Sequence, residues 1–179
     1  MISIEEEKRY AELQAIALDA ARQGEAAVLR PMLEAGLPIN LRDEKGNTLL
    51  MLAAYHGHAP TVALLIDQGA DPDARNDRDQ TPLAGVAFKG HLAVARQLLA
   101  GGADPQADQG GGRTPEMFAA MFGHQAMVGL LREAAGDGNR SNRLLGLPTQ
   151  TLAKITAAVR AGLIDLFGRK EAQVSQNLV

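Results

Sequence analysis

Apolar positions recur along the chain at one long interval: Met32, Leu65, Leu98 and Leu131 fall 33 residues apart. Turn-forming and polar positions keep the same interval, in the columns Thr48, Thr81, Thr114; Gly24, Gly57, Gly90, Gly123; His58, His91, His124; and Gly36, Gly69, Gly102. So many columns with one period describe a small unit repeated in tandem, each copy burying its apolar face against the next. Within a unit, Thr81-Pro82 supplies a capping hydroxyl and then a proline at the first helical position, where its missing N–H costs nothing. The helix opened there is predicted over Leu83 to Lys89, with Gly90 ending it because glycine tolerates a left-handed backbone. A second helix is predicted over His91 to Ala100. Gly101-Gly102 stops it, and Ala103-Asp104-Pro105 leads through a turn-rich link into the next unit.

Read in this register, the units fall at about 4–44, 45–78, 79–111 and 112–136, a repeat domain over 1–136. The first opens with Ser3-Ile4-Glu5-Glu6, a capping-box pattern before a longer helix, and reads as an N-terminal cap. The fourth loses the Gly-Ala-Asp signature after Leu131, as expected where stacking stops. A polar linker is expected at 137–147, beginning Gly136-Asp137-Gly138-Asn139-Arg140. Beyond it, 148–179 should hold an amphipathic helix with Leu152, Ile155, Val159, Leu163 and Leu166 on one face, and a frayed tail. Capping the open end of the stack is the favoured role for that helix.

Gly46-Asn47-Thr48-Leu49-Leu50, Gln80-Thr81-Pro82-Leu83 and Arg113-Thr114-Pro115, the first two followed by Gly-Ala-Asp at 69–71 and 102–104, resemble ankyrin repeats over roughly residues 11–136. The resemblance implies an all-α solenoid of helix-turn-helix units joined by hairpin loops, with the C-terminal amphipathic helix appended. Met51, Ala84 and Met117 stand where the family usually has His, Leu49 where it has Pro, and Glu116 where it has Leu. Those departures are expected to disturb local capping hydrogen bonds and to leave the fold intact.

Composition narrows the function. Only 3% of residues are aromatic while 46% are hydrophobic, mostly Ala, Leu, Val and Met, which favours closely packed helices over sheet. The net charge of −3 argues against nucleic acid as a partner, since phosphate binding needs clustered Lys and Arg. Charge is unevenly spread, however, because residues 137–179 carry six basic against three acidic side chains and are positive while the remainder is negative. The acidic start, Met1 to Glu7, lacks a basic, apolar leader, and no apolar run is long enough to span a bilayer, so a cytoplasmic protein without a membrane role is expected. The alanine- and arginine-rich composition suggests a bacterial source.

Catalytic chemistry finds no footing. The serines are Ser3, Ser141 and Ser175, near chain ends or in the linker, and none is placed for a nucleophile–histidine pair. His58, His91 and His124 recur with the repeat, which assigns them to packing and capping; His56 and His58 form an H-x-H pair with no third ligand nearby in sequence. No cofactor and no metal site are expected. Gly110-Gly111-Gly112 lacks the flanking strand and Lys-Ser/Thr of a phosphate loop and reads as a hairpin between repeats.

The resemblance implies that partners meet the loop tips and the exposed side of each first helix. Carried over by register, this places Tyr55, Phe88 and then Met121-Phe122 in one row, with Arg22, His56 and Lys89 beside it. Three of the six aromatic residues lie on this line, and large rigid side chains of that kind anchor interfaces. The loop tips add Arg42, Lys45, Arg75, Arg78 and Arg113 among Glu44, Asn47, Asp77 and Gln80, a rim suited to an acidic patch on another protein. The expected function is a monomeric, non-enzymatic protein-interaction module. The alternatives are a dedicated inhibitor or stabiliser of one enzyme, toxin-neutralising or stress-linked, and a small metal-binding protein.

Overall fold

A computed structural model describes residues 4–145, with side chains as far as residue 136. Eight helices follow one another among these residues: α1 (Ile4–Gln23), α2 (Ala26–Glu34), α3 (Leu49–Tyr55), α4 (Ala59–Asp67), α5 (Pro82–Lys89), α6 (Leu92–Ala100), α7 (Pro115–Met121) and α8 (Gln125–Leu145). They form four helix pairs. The chain divides into two compact units after Asp137, and the first contains the stacked pairs. First helices pack on first helices, α1 on α3, α3 on α5 and α5 on α7, and second helices pack in the same way, α2 on α4 and α4 on α6. This is the all-α solenoid that the 33-residue interval predicts.

The core is assembled from register columns. Ala20, Ala53, Val86 and Ala119 are all buried, and so are Leu65, Leu98 and Leu131. Small side chains in the first column let adjacent first helices approach closely, while the leucines fill the space between first and second layers. Leu50 and Leu83 are fully buried between neighbours. At the same place in the fourth repeat, Glu116 is half-buried, and its carboxylate accepts a 2.7 Å hydrogen bond from Arg132 on α8. A carboxylate is tolerated at that position because no described repeat follows to desolvate it.

Capping is better preserved than the residue departures suggest. Thr48 Oγ1 accepts from the Met51 N–H at 3.2 Å, and Thr81 and Thr114 accept from Ala84 and Met117 at 3.4 Å. The bond goes to a backbone amide, which every residue except proline offers, so the missing family histidines do not affect it. Gly90 ends α5 in the left-handed conformation at φ 78°. The histidines that follow these glycines reach back one repeat: His58 Nε2 lies 2.8 Å from the Arg22 carbonyl and His124 Nε2 lies 3.1 Å from that of Phe88.

Among the described residues the hairpins keep one isolated antiparallel bridge, Arg42 to Thr48, and each closes on a backbone hydrogen bond, Asp43 to Asn47, Asn76 to Gln80 and Gln109 to Arg113, while side chains link one hairpin to the next. Arg42 donates to the Arg75 carbonyl at 2.6 Å, and Arg75 repeats the gesture onto Asp108 at 2.6 Å. The buried Gln109 accepts from the Thr81 N–H at 2.7 Å and donates to the Ala107 carbonyl. Two expectations about the end of the chain fare differently. The stretch 137–145, read as part of a linker, continues α8 as helix; its one glycine, Gly138, weakens a helix by about 1 kcal/mol without forbidding it, and no proline intervenes. The amphipathic helix and tail expected at 148–179 lie outside the described residues.

Candidate functional site

A groove of about 450 Å³ runs along the first helices and the hairpins. Its floor is Met51 and Leu52 of α3, Ala84 and Gly85 of α5 and Phe118 of α7, and Asn47, Asn76, Gln80 and Thr81 form the hairpin side. Six of the residues expected at a binding surface line it: Arg22, Lys45, Tyr55, His56, Arg78 and Phe88. The helix caps explain the placement. Each threonine cap fixes where a seven- or eight-residue first helix begins, so Tyr55 and Phe88 both arrive at the last turn, side by side across adjacent repeats.

These aromatic rings are neither core nor fully solvated. Tyr55 is 37% and Phe88 36% exposed, while Phe122 and Met121 reach 48% and 69%. Phe88 and Phe122 meet edge to face at 4.4 Å between centroids, a geometry that aligns the positive ring edge with the negative face. The Lys89 ammonium lies 4.8 Å from the centre of the Tyr55 ring and 5.9 Å from that of Phe88, which ties the two repeats through a shared cation. Met121, Phe122 and Lys89 thus continue the row beyond the groove and do not line it.

Gly85 explains how Tyr55 fits. A Cβ there would stand 3.3 Å from Tyr55 Cδ2, closer than most carbon contacts, so the bare backbone makes room for the ring. Phe118 and Gly85 were not singled out from the sequence. The signal was available, because Leu52, Gly85 and Phe118 share one register column of the repeat.

The polar side is organised by Asp43. It accepts from the Lys45 and Asn47 amides, from Asn47 Nδ2 and from Arg22 at 3.1 Å. Burial pushes its pKa up, but these donors outweigh that and hold the carboxyl below its usual value. Arg22 is therefore committed in part to Asp43, whereas the Arg78 guanidinium forms no hydrogen bond or ion pair with the described residues, its backbone N–H alone donating to Asn76 Oδ1 at 3.0 Å. The His56 imidazole is held below its usual pKa by burial first, then by His58, Lys89, Arg22 and His91, so its neutral form is favoured.

Three expected contact residues have roles in the scaffold. Arg42 and Arg75 bridge hairpins as described, Arg75 also pairing with Asp79 at 3.1 Å, and Arg113 donates to Gly110 within its own loop at 2.9 Å. Their guanidinium groups stiffen the rim rather than enter the groove. The rings of His56 and His58 stack 6.2 Å apart, with His58 Nε2 already taken by a carbonyl. Among the described residues no group of three or more His, Cys, Asp or Glu is gathered in a way that could hold a metal ion. Among them, too, no helix is long and apolar enough to cross a membrane.

A family model of ankyrin repeats in three copies matches residues 17–109 and, in a second overlapping match, 70–142. No curated protein matches the chain. Together the matched residues run from the last turns of α1 into α8 and take in more than half of the chain, and the chain belongs to the ankyrin repeat family.

Proposed function

We propose that the chain is a non-catalytic module that binds another protein through its concave face, centred on Tyr55, Phe88 and Phe122. Ankyrin repeats are generally protein–protein interaction modules, and the reading adds a surface to that general role. One observation carries it: large apolar side chains stand half-open in a row on successive first helices, although the same helices bury Leu50, Leu83 and Ala119 completely. Aromatic side chains with few rotamers, set over an apolar floor and rimmed by polar groups, bury much area on binding at little entropic cost. Arg22, His56, Lys45, Arg78 and Lys89 supply the polar rim, and Arg42, Arg75 and Arg113 hold the hairpins that carry it.

The test is affinity co-purification with mass spectrometry, comparing the native chain with a Tyr55→Ala, Phe88→Ala, Phe122→Ala variant shown to be folded by circular dichroism. A partner recovered with the native chain and lost with the variant is the expected result. Partners that survive the triple change would place the binding surface elsewhere.

A further inference from the structure

The groove is chemically polarised along the stack, and two separate columns agree on its direction. On the first helices, Arg22, Tyr55, Phe88 and Met121 share one register position, so the column passes from a cation through two aromatic rings to an exposed methionine. On the hairpins, Lys45 and Arg78 share another position, and the third member of that column is Gly111, which has no side chain. Glu44 and Asp77 precede these two cations in sequence but do not line the groove. The carboxylate that does line it, Asp43, is already held by Arg22 and by three donors from its own hairpin. The groove is thus locally basic in a chain whose net charge is −3.

From this polarity we infer that the groove takes an extended, acidic segment of the partner, with carboxylates facing Lys45 and Arg78 and a large apolar side chain lying toward Phe88, Phe122 and Met121. This rests on the concave-face reading and specifies the partner's chemistry. Successive repeats place equivalent groups about 8–10 Å apart, the spacing of packed helices. An extended chain advances about 3.3 Å per residue, so two carboxylates separated by two or three residues reach both cations. The Arg78 guanidinium, with no partner among the described residues, is available for bidentate carboxylate contact, and Lys45 acts as a point charge. The apolar anchor then covers rings that water now half-wets.

Selection of a random peptide library displayed on phage against the full chain tests the assignment, followed by affinity measurement on an enriched peptide. Enriched sequences are expected to carry paired Asp or Glu two or three residues apart, with Phe, Leu, Met or Trp consistently to one side. A Lys45→Glu, Arg78→Glu variant, altered at two exposed side chains, should bind such a peptide at least about tenfold more weakly, and added salt should weaken the native complex. Enrichment without acidic residues, no enrichment at all, unchanged affinity in the charge-reversed variant, or displacement of the peptide by a single-stranded oligonucleotide would each overturn the inference. Non-acidic peptides that are lost on Tyr55→Ala, Phe88→Ala substitution would sink the acidic segment alone and leave the concave-face reading standing. Peptides indifferent to both sets of changes would sink both.

Discussion

The periodic glycine and histidine columns form one device at the scale of single residues. Gly90 has φ 78°, and a Cβ on it would come within 2.7 Å of the His124 ring, which is itself anchored to the Phe88 carbonyl. Gly69 has φ 88° with nothing within 4 Å of the same point. Both alanine substitutions pay the left-handed backbone cost of about 1–2 kcal/mol, and only Gly90→Ala adds a clash. Urea denaturation should therefore rank Gly90→Ala as the more destabilised, with His124→Ala recovering part of the difference; equal losses would show that the ring moves aside freely. A second residue-scale case is Asp73, whose pKa is raised by burial and by the neighbouring Asp104 and Asp71, against the Asp104 amide and Arg75, which lower it. A raised folded pKa means that Asp73 favours folding below its unfolded pKa and loses that contribution as pH rises through the folded value. Asn40 holds the equivalent position one repeat earlier and accepts from the Asp71 amide at 3.1 Å without charge. Asp73→Asn should accordingly stabilise the chain at neutral pH, and the gain should shrink as pH falls through the carboxylate range. A gain that persists at low pH, or a loss at neutral pH, would contradict this account.

At the scale of helices and hairpins, what could be read in advance was what is local. Thr-Pro caps, glycine stops and the 33-residue interval each act within one unit, and they located α5 and α6 to within a residue of the observed ends. Bonds between units left no such trace, because Arg42 and Arg75 donate to backbone carbonyls, which every residue possesses. The hairpin-stapling role of these two arginines was for that reason invisible in the sequence. The continuation of α8 through 137–145 was likewise hidden by a polar, glycine-bearing composition that suits a linker equally well. The floor of the groove illustrates how an element can be shaped against its own propensity. Glycine inside α5 costs about 1 kcal/mol relative to alanine, and the Tyr55 ring occupies the space saved. Gly85→Ala should raise stability by up to about 1 kcal/mol in denaturant unfolding, because half-exposed Tyr55 can yield by a few tenths of an ångström. The same change should weaken partner binding by tilting that ring. Loss of stability would mean that Tyr55 is fixed by packing and is no adjustable contact.

At the scale of the whole molecule, the four helix pairs among the described residues join each repeat only to its neighbours, so stability is spread along the stack and its surface is built by repetition. The solenoid and its register were legible because repetition multiplies weak signals. The proposed binding face was legible only in outline: register put Tyr55, Phe88 and Met121 in one column, but the Phe88–Phe122 contact and the Lys89 bridge depend on rotamers that no interval specifies. The central claim is that this face, and not the outer layer of second helices, meets the partner. Amide hydrogen exchange of the chain, free and bound to the protein that it captures, tests this most directly. The account predicts slowed exchange in the last turns of α3, α5 and α7 and in the hairpins around 43–48 and 76–81, with α4 and α6 unchanged. Protection confined to α4 and α6, with the aromatic row exchanging as in the free chain, would contradict it.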